Sequence, residues 1–207
     1  MINYLAKQRL EKVLRIQRDE CVINGIDISD LKPLIKGENF SQQISKECFS
    51  ELADFGFGIY YDEFGKPWPV GREGNVSISH TKQWLFISYS QKNAQGLDIE
   101  HTRTQLNSIA PRILHQQELA ILEKASNRQS ALQIFWGAKE SLYKAFGRKQ
   151  LQFAKHIRID SFSADTPGVF TGSLILPEGR RNFELEWLKP DEDSWLVFVR
   201  NELTSPV

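Results

Sequence analysis

Two acidic residues stand two positions apart in the segment Gly96-Leu97-Asp98-Ile99-Glu100. On a β-strand, both carboxylates would leave one face while Leu97 and Ile99 enter the core. Two like charges about 6 to 7 Å apart repel each other, and an oxygen-ligated magnesium ion or a basic neighbour would relieve that repulsion. A strand face that simply meets water can carry the same pattern.

A third carboxylate lies on a predicted helix, Ser130–Phe146, whose apolar stripe consists of Ala131, Phe135, Ala138, Leu142 and Ala145. At about 100° per residue, Glu140 lies almost opposite the centre of that stripe, and Lys144 follows one turn later. The helix should therefore present a carboxylate beside an ammonium on its outward face. An exposed i to i+4 ion pair without a function would look the same, and such pairs contribute only about 0.3 to 0.5 kcal/mol.

Two further segments carry groups that can bind phosphate oxygens. The segment Ser77–Thr81 has the sequence Ser-Ile-Ser-His-Thr at a predicted strand end, and Gly65-Lys66-Pro67 occupies an earlier turn. Hydroxyls, a histidine and a lysine can hold phosphate by charge-assisted hydrogen bonds. Each segment alone is also typical of an ordinary turn or strand end. The pair Gly56-x-Gly58 does not open a helix, so no dinucleotide-binding fingerprint or P-loop competes for a phosphate.

The hydrophobic pattern indicates which elements hold these groups. Residues 1–40 predict a helix followed by an irregular segment, with breaks at Gly25, Pro33 and Gly37 after the loosely periodic apolar positions Ile2, Leu5, Leu10, Val13 and Leu14. A second helix is predicted over Ser41–Phe55, where one stripe is formed by Ile44, Cys48, Leu52 and Phe55.

Later segments alternate between strand and helix patterns. Strands are predicted, around a turn at Asp62–Pro67, at Ile59–Tyr61, Asn75–Ser79, Trp84–Ser90 and Gly96–Glu100. Residues 106–146 favour helix with a polar link at Ala125–Gln129, and Asn182–Arg200 alternates as a hairpin. The predicted fold class is α+β, with two similar α+β lobes, 1–101 and 102–207, each a small mostly antiparallel sheet packed against a long helix, although no residue-level repeat is evident.

Composition and charge limit the classes of function. The 207 residues carry 26 basic and 26 acidic side chains, which gives a formal net charge of +0. Such a balance produces no overall field that would draw the protein onto nucleic acid or a membrane, so any polyanion must be bound locally. Cys21 and Cys48 form no C-x-x-C motif and indicate free thiols. No run of about 18 apolar residues and no signal-peptide pattern occurs, so we expect a cytoplasmic location.

Four segments, taken in order, resemble the successive signatures of the 4'-phosphopantetheinyl transferases: Gly65-Lys66-Pro67, Ser77-Ile78-Ser79-His80, Gly96-Leu97-Asp98-Ile99-Glu100 and Trp136-Gly137-Ala138-Lys139-Glu140-Ser141-Leu142-Tyr143-Lys144. The resemblance covers residues 57–152 well. The chain length resembles that of the longer, monomeric members, in which two related α+β lobes enclose the active site in the cleft between them. Those members transfer 4'-phosphopantetheine from coenzyme A to a serine of an apo acyl or peptidyl carrier protein, release 3',5'-ADP and depend on magnesium.

The resemblance implies a metal site and a catalytic pair. Asp98, Glu100 and Glu140 would bind Mg²⁺. Glu140 would also deprotonate the attacking carrier serine, and Lys144 would lie near the transferring phosphate and stabilise the leaving 3',5'-ADP. The three carboxylates supply no more than half of a magnesium shell, so substrate oxygens and water would complete it.

The resemblance also implies the contacts to coenzyme A. Ser79, His80 and Lys144 would contact its phosphates, and Lys66 would lie beside its adenosine end. Lys139 lies in the same motif without an implied role.

Departures from the family pattern leave two other classes of function open. Val76-Ser77 stands where the family usually has Asn or Phe-Asn, Thr81 replaces the more common Ser, and no basic residue near the N-terminus matches the family positions that hold coenzyme A. The chain could instead be a non-catalytic coenzyme A or carrier-binding module, or a metal-dependent phosphohydrolase acting on nucleotides. Product analysis separates them, since hydrolysis needs no carrier protein. The carrier could serve fatty acid, polyketide, non-ribosomal peptide, aryl-polyene-like or lysine biosynthesis, and a monomer is expected.

Overall fold

The computed structural model describes residues 13–29 and 56–203. The predicted helix Ser41–Phe55 lies outside these ranges, as do the apolar positions Ile2, Leu5 and Leu10. Within the described residues, the strands form three sheets, and the helices fall between positions 106 and 156. The predicted α+β class is confirmed.

The first sheet has four antiparallel strands, numbered here in chain order. Their spatial order is β1 (Val13–Arg18), β2 (Cys21–Asp27), β6 (Trp84–Ser90) and β5 (Asn75–His80). Strands β5 and β6 confirm the two strands predicted for these segments.

Strands β1 and β2 form a hairpin, so the prediction of a helix and then an irregular segment is wrong for residues 13–27. Asp19 adopts a φ of 47° in the two-residue turn, a left-handed conformation that Asp tolerates and that suits a tight hairpin. The loose helical spacing runs across the start of β1 and obscures this pattern. Gly25 does not break the segment, because it lies inside β2, where an added Cβ would sit 2.2 Å from the ring of Phe86 on the neighbouring strand.

The second sheet contains five antiparallel strands in the order β7 (Leu97–His101), β11 (Ser194–Leu203), β10 (Gly179–Asp191), β9 (Gly168–Leu176) and β8 (Ile157–Ile159). Strands β10 and β11 confirm the hairpin predicted over Asn182–Arg200. A separate pair, β3 (Ile59–Tyr61) and β4 (Pro67–Pro69), flanks the predicted turn. Strand β7 precedes the predicted lobe boundary at residue 101 yet pairs with β11. That boundary and the internal duplication stay predictions.

The helices between β7 and β8 are α1 (Leu106–Ile113), α2 (Gln116–Glu123), α3 (Arg128–Phe146) and α4 (Phe153–His156). They confirm the predicted helical stretch and its polar link. Helix α3 begins earlier than predicted because the Asn127 side chain caps it by accepting from the backbone N–H of Ser130. An unpredicted break separates α1 from α2, where His115 and Glu118 form a capping box. No helix in the described part of the chain is long and apolar enough to cross a membrane.

The second sheet lies between the first sheet and the helices. On one face, Leu97 and Ile99 of β7 pack against apolar side chains of β2 and β6. On the other face, the predicted stripe of α3 is buried among side chains of β9, β10 and β11, which confirms it. At Gly96 an added Cβ would lie 1.8 Å from the carbonyl oxygen of Ser141, so glycine lets the start of β7 approach α3. The acidic face of β7 therefore lies on α3.

Candidate active site

Asp98 lies at the centre of a polar cluster between β7 and α3, and it is only 5% exposed. Its Oδ1 accepts hydrogen bonds from Lys144 Nζ at 2.7 Å and from Ser79 Oγ at 3.0 Å. Its Oδ2 is buried and has no hydrogen-bond partner among the described residues. A buried carboxylate oxygen without a donor is unfavourable, so this atom marks a position that a cation would stabilise.

The other two carboxylates of the predicted metal site share this environment. Burial, and secondly the charge of Asp98, raises the pKa of Glu100 to about 7. Arg103 forms an ion pair with Glu100 at 2.8 Å, and Trp136 Nε1 donates to Glu100 at 3.4 Å. Burial and then the charge of Asp98 also raise the pKa of Glu140. The structure thus brings all three carboxylates into one electrostatic group.

Lys144 reaches toward β7 rather than toward Glu140. Its Nζ donates to Asp98 Oδ1 at 2.7 Å, to Ser79 Oγ at 3.0 Å and to the Leu97 carbonyl at 2.9 Å. In the described part of the chain, this contact replaces the surface pair of Glu140 and Lys144 that the helical spacing suggests. The prediction that this face of α3 points outward is wrong, because the face packs on β7 and leaves Glu140 half-buried.

The three carboxylates are the type of ligand that Mg²⁺ prefers, but their positions in the structure are not those of a complete ligand set. Mg²⁺ prefers hard oxygen donors, and the unpartnered Oδ2 of Asp98 is one of them. Across residues 13–29 and 56–203, no three His, Cys, Asp or Glu side chains are grouped closely enough to hold a metal ion. For all three to bind one ion, their carboxylates would have to come closer together, and Arg103 would compete with the ion for Glu100.

A cavity of about 480 Å³ opens beside this cluster. Among residues 13–29 and 56–203, its wall contains no carboxylate and carries four lysine or arginine side chains and a histidine: Lys66, Lys144, Arg148, Lys149 and His80. This positive charge is local, since the whole chain has a formal net charge of +0. Lys144 belongs both to this wall and to the Asp98 cluster. The cavity therefore suits a ligand with several negative charges.

The turn before β4 positions Lys66 at the cavity. Asp62 fixes this turn by accepting hydrogen bonds from the backbone N–H groups of Phe64 and Lys66 and from Trp68 Nε1. The Nζ of Lys66 lies 4.7 Å from the ring centroid of Trp68 and donates to the Ala145 carbonyl at 3.4 Å. Burial lowers the pKa of Lys66. A bound phosphate would oppose that effect by favouring the charged ammonium.

Ser79 and His80 point in different directions from β5. His80 is exposed and borders the cavity, whereas Ser79 is buried against Asp98 and is not part of the cavity wall. Sequence reasoning missed Arg148 and Lys149, which complete the basic wall. The available signal was a pair of basic residues directly after the glycine that ends α3.

Lys139, which had no implied role, is a buried structural residue. Its Nζ forms an ion pair with Glu118 at 2.8 Å, and the two side chains are 0% and 1% exposed. The same Nζ donates to the carbonyls of Ile157 at 2.7 Å and Phe153 at 3.2 Å. Burial lowers the pKa of Lys139 to about 8, against the attraction of Glu118. These contacts join α2 and α3 to α4 and β8.

A comparison with models of known protein families identifies the family of the chain. A model of the 4'-phosphopantetheinyl transferase superfamily matches residues 94–199, just over half of the 207 residues. The chain therefore belongs to the 4'-phosphopantetheinyl transferase superfamily, and the resemblance inferred from its motifs is confirmed. A search of curated proteins found no match to the chain. The matched range includes the three carboxylates and Lys144, whereas Lys66, Ser79 and His80 precede it. The longer, two-lobed subtype stays a prediction.

Proposed function

We propose that this protein transfers 4'-phosphopantetheine from coenzyme A to a serine hydroxyl of an apo acyl or peptidyl carrier protein and releases 3',5'-ADP. The observation that carries the proposal is that the basic cavity lies beside the three carboxylates and that Lys144 belongs to both. The reaction needs a site for a polyanion next to a proton acceptor, and this arrangement offers both. Membership of the superfamily supports the same reaction.

Coenzyme A suits the cavity through its charge. Its pyrophosphate and 3'-phosphate are anionic, and Lys66, His80, Arg148 and Lys149 are available in the wall to bind them. Hydrogen bonds between charged partners are roughly twice as strong as neutral ones. The ring of Tyr143 adds apolar surface for the uncharged parts of the ligand.

Asp98, Glu100 and Glu140 would hold Mg²⁺. When bound, the ion would neutralise negative charge on the pyrophosphate oxygens. Asp98 would contribute its unpartnered Oδ2, while Ser79 and Lys144 keep its Oδ1 in place. Burial, and secondly the charge of Asp98, raise the pKa of Glu100 and of Glu140, and a bound cation would offset both effects.

Glu140 would act as the general base. The serine Oγ attacks the phosphorus that bears the pantetheine, the bond from that phosphorus to the bridging oxygen breaks, and 3',5'-ADP leaves with the electron pair. The serine proton passes to Glu140, whose raised pKa brings it nearer to the neutral range in which a base works well. Lys144 would stabilise the charge that develops on the leaving group.

The intact mass of apo carrier proteins, incubated with this protein, coenzyme A and MgCl₂, tests the proposal. We expect each accepted carrier to gain one phosphopantetheine and a chelator to abolish the gain. A panel drawn from fatty acid, polyketide, peptide and lysine pathways would identify the carrier class.

Two variants sharpen this test. Glu140→Gln should stop transfer while the protein stays folded, whereas Glu123→Gln, at an exposed position of α2, should retain it. Unmodified carriers with intact coenzyme A binding would favour the non-catalytic binding module. Nucleotide release without any carrier would favour the phosphohydrolase.

A further inference from the structure

A single carboxylate, that of Asp62, organises the turn at the edge of the proposed coenzyme A cavity. Its Oδ1 accepts from the backbone N–H of Phe64 at 3.0 Å and from that of Lys66 at 2.8 Å. Its Oδ2 accepts from Trp68 Nε1 at 2.9 Å. The two oxygens therefore have separate roles, because one shapes the turn that carries Lys66 and the other fixes an indole ring. Asp62 itself is not part of the cavity wall.

The indole ring of Trp68 in turn restrains the side chain of Lys66. The Lys66 Nζ lies 4.7 Å from the centroid of this ring, which is within the range of a cation–π contact. The stem of Lys66 crosses the end of α3, where an added Cβ at Gly147 would lie 2.4 Å from the Lys66 Cδ. Lys66 is thus held between the Trp68 ring and the end of α3.

The restrained ammonium keeps donors for a ligand. Its Nζ donates to the Ala145 carbonyl at 3.4 Å, and across residues 13–29 and 56–203 Lys66 forms no ion pair with a carboxylate. An ammonium has three N–H donors, so others can bind the oxygens of an anion. A lysine usually loses much rotamer freedom when it binds a ligand, and a side chain that is already ordered loses less.

We propose that Asp62 is a positioning residue for the anionic ligand of this cavity, and that it acts through Trp68 on the Lys66 ammonium. The inference rests on the proposed function for the identity of that ligand as coenzyme A. Asp62 is negatively charged and cannot attract the ligand, so its effect comes from ordering the cation. The hydrogen bond from Trp68 is the largest of the effects that lower the pKa of Asp62, which keeps both oxygens as acceptors at neutral pH.

This role should affect binding rather than the chemical step. On the proposed function, Lys66 lies beside the adenosine end of coenzyme A, where no bond forms or breaks. A contact to that end is equally strong in the ground state and the transition state, so weakening it raises KM and leaves kcat unchanged.

The test uses Asp62→Asn and Trp68→Phe, which break the same hydrogen bond from its two ends. Asn keeps the Oδ1 acceptor for the turn but places an amide NH₂ where Oδ2 accepted, and Phe keeps an aromatic ring without an N–H donor. We expect each variant to raise the Kd for 3',5'-ADP, measured by calorimetry, about three- to tenfold. The KM for coenzyme A should rise with it. The double variant should bind no more weakly than Trp68→Phe alone, since the bond is already lost.

The matched control is Glu63→Gln, which removes a carboxylate from the neighbouring exposed position, outside the cavity wall. Removing a negative charge near an anion site favours the anion, so electrostatics alone would lower the Kd in both Glu63→Gln and Asp62→Asn. A positioning role instead raises the Kd in Asp62→Asn, while Glu63→Gln stays at or below the wild-type value. A Kd for Asp62→Asn at or below the wild-type value would overturn the inference.

A Lys66→Met background distinguishes positioning from a general effect on the shape of the cavity. In that background Asp62→Asn should no longer change the Kd, because the side chain on which it acts is gone. An undiminished effect there would overturn the inference, as would a wild-type cavity that does not bind 3',5'-ADP. Should Asp62→Asn misfold, Trp68→Phe carries the test alone, since it leaves the turn bonded to Asp62.

The calorimetric measurement needs neither a carrier protein nor turnover, which keeps the two proposals separable. Failure of transfer to every carrier, with the expected changes in the Kd for 3',5'-ADP, would count against the proposed function and leave the role of Asp62 in place. Transfer by the wild type, with unchanged Kd values in Asp62→Asn and Trp68→Phe, would do the reverse.

Discussion

Lys139→Met should destabilise the protein strongly while leaving the chemistry of the site in place. The variant removes the ammonium that pairs with Glu118 at 2.8 Å and that donates to two backbone carbonyls. Glu118 would keep the hydrogen bonds from the N–H groups of His115 and Ile159, but it would lose its counter-ion at a position where it is 1% exposed. A carboxylate in that state is buried and uncompensated.

The magnitude follows from this geometry. Removing one partner of a buried ion pair costs about 3 to 5 kcal/mol. In a chain of this size each kcal/mol lowers the Tm by roughly 2 to 4 °C, so the Tm of Lys139→Met should fall by about 10 °C. Adding Glu118→Gln should recover part of the loss, because no unpaired charge then remains. Lys124→Met, at an exposed position, should change the free energy of unfolding by less than about 0.5 kcal/mol.

Thermal scans and urea titrations followed by tryptophan fluorescence measure these changes, and the transfer assay is run well below the Tm of the variant. Turnover should stay close to the wild-type rate, since Lys139 is not part of the basic cavity wall. A variant with the wild-type Tm and no turnover would refute the reasoning, because Lys139 would then act in the reaction. A double variant less stable than the single one would refute it as well.

Gly96→Ala should separate β7 from α3, because the new Cβ would lie 1.8 Å from a backbone oxygen. The variant should lose transfer activity and about 1 to 3 kcal/mol or more of its free energy of unfolding. The control Gly168→Ala, whose new Cβ would have its nearest neighbour at 3.9 Å, should keep both its activity and its stability. In metal-free protein the pKa of Glu100 is raised from 4.5 to about 7, so the folded state keeps a proton that the unfolded chain releases. The free energy of unfolding in urea should therefore fall as the pH rises through that window, MgCl₂ should oppose the fall, and a flat profile would contradict the assignment. Burial raises the pKa of Cys21 to about 12. In a Cys48→Ser variant, a thiol reagent at mildly alkaline pH should therefore label the protein only when it unfolds. Rapid labelling of the native protein would contradict the burial of Cys21.

The elements that bear the carboxylates could be predicted because their signal is local. In β7, Leu97 and Ile99 alternate with Asp98 and Glu100, and the fold buries the first two as this period requires. The stripe of α3 likewise repeats at helical spacing over five positions, all of which are buried. Such patterns depend on neighbours within one element, so no knowledge of the fold was needed.

Contacts between different helices and strands could not be predicted from the sequence. The burial of Lys139 depends on Glu118 from another helix and on carbonyls near α4, so the lysine looks like any polar residue in a helical pattern. Arg148 and Lys149 reach the cavity because α3 ends at Gly147, a glycine with a φ of 71° that lies against the Lys66 side chain. The hairpin of β1 and β2 was not predicted because of a misleading local pattern. The apolar residues across its start have a spacing that is also typical of a helix.

The partner of Lys144 decides whether the acidic motif is a site or a solvated surface. A helical pair of Lys144 with Glu140 would contribute only about 0.3 to 0.5 kcal/mol and would leave Asp98 without a counter-ion. Lys144 instead bonds to Asp98 and to Ser79, from strands that lie 46 and 65 positions away in the sequence. No local period encodes such a contact, which requires the close approach of β7 to α3 that Gly96 permits. The Lys144 ammonium also borders the basic cavity, so this one side chain links the charge of Asp98 to the charge of a ligand bound in the cavity.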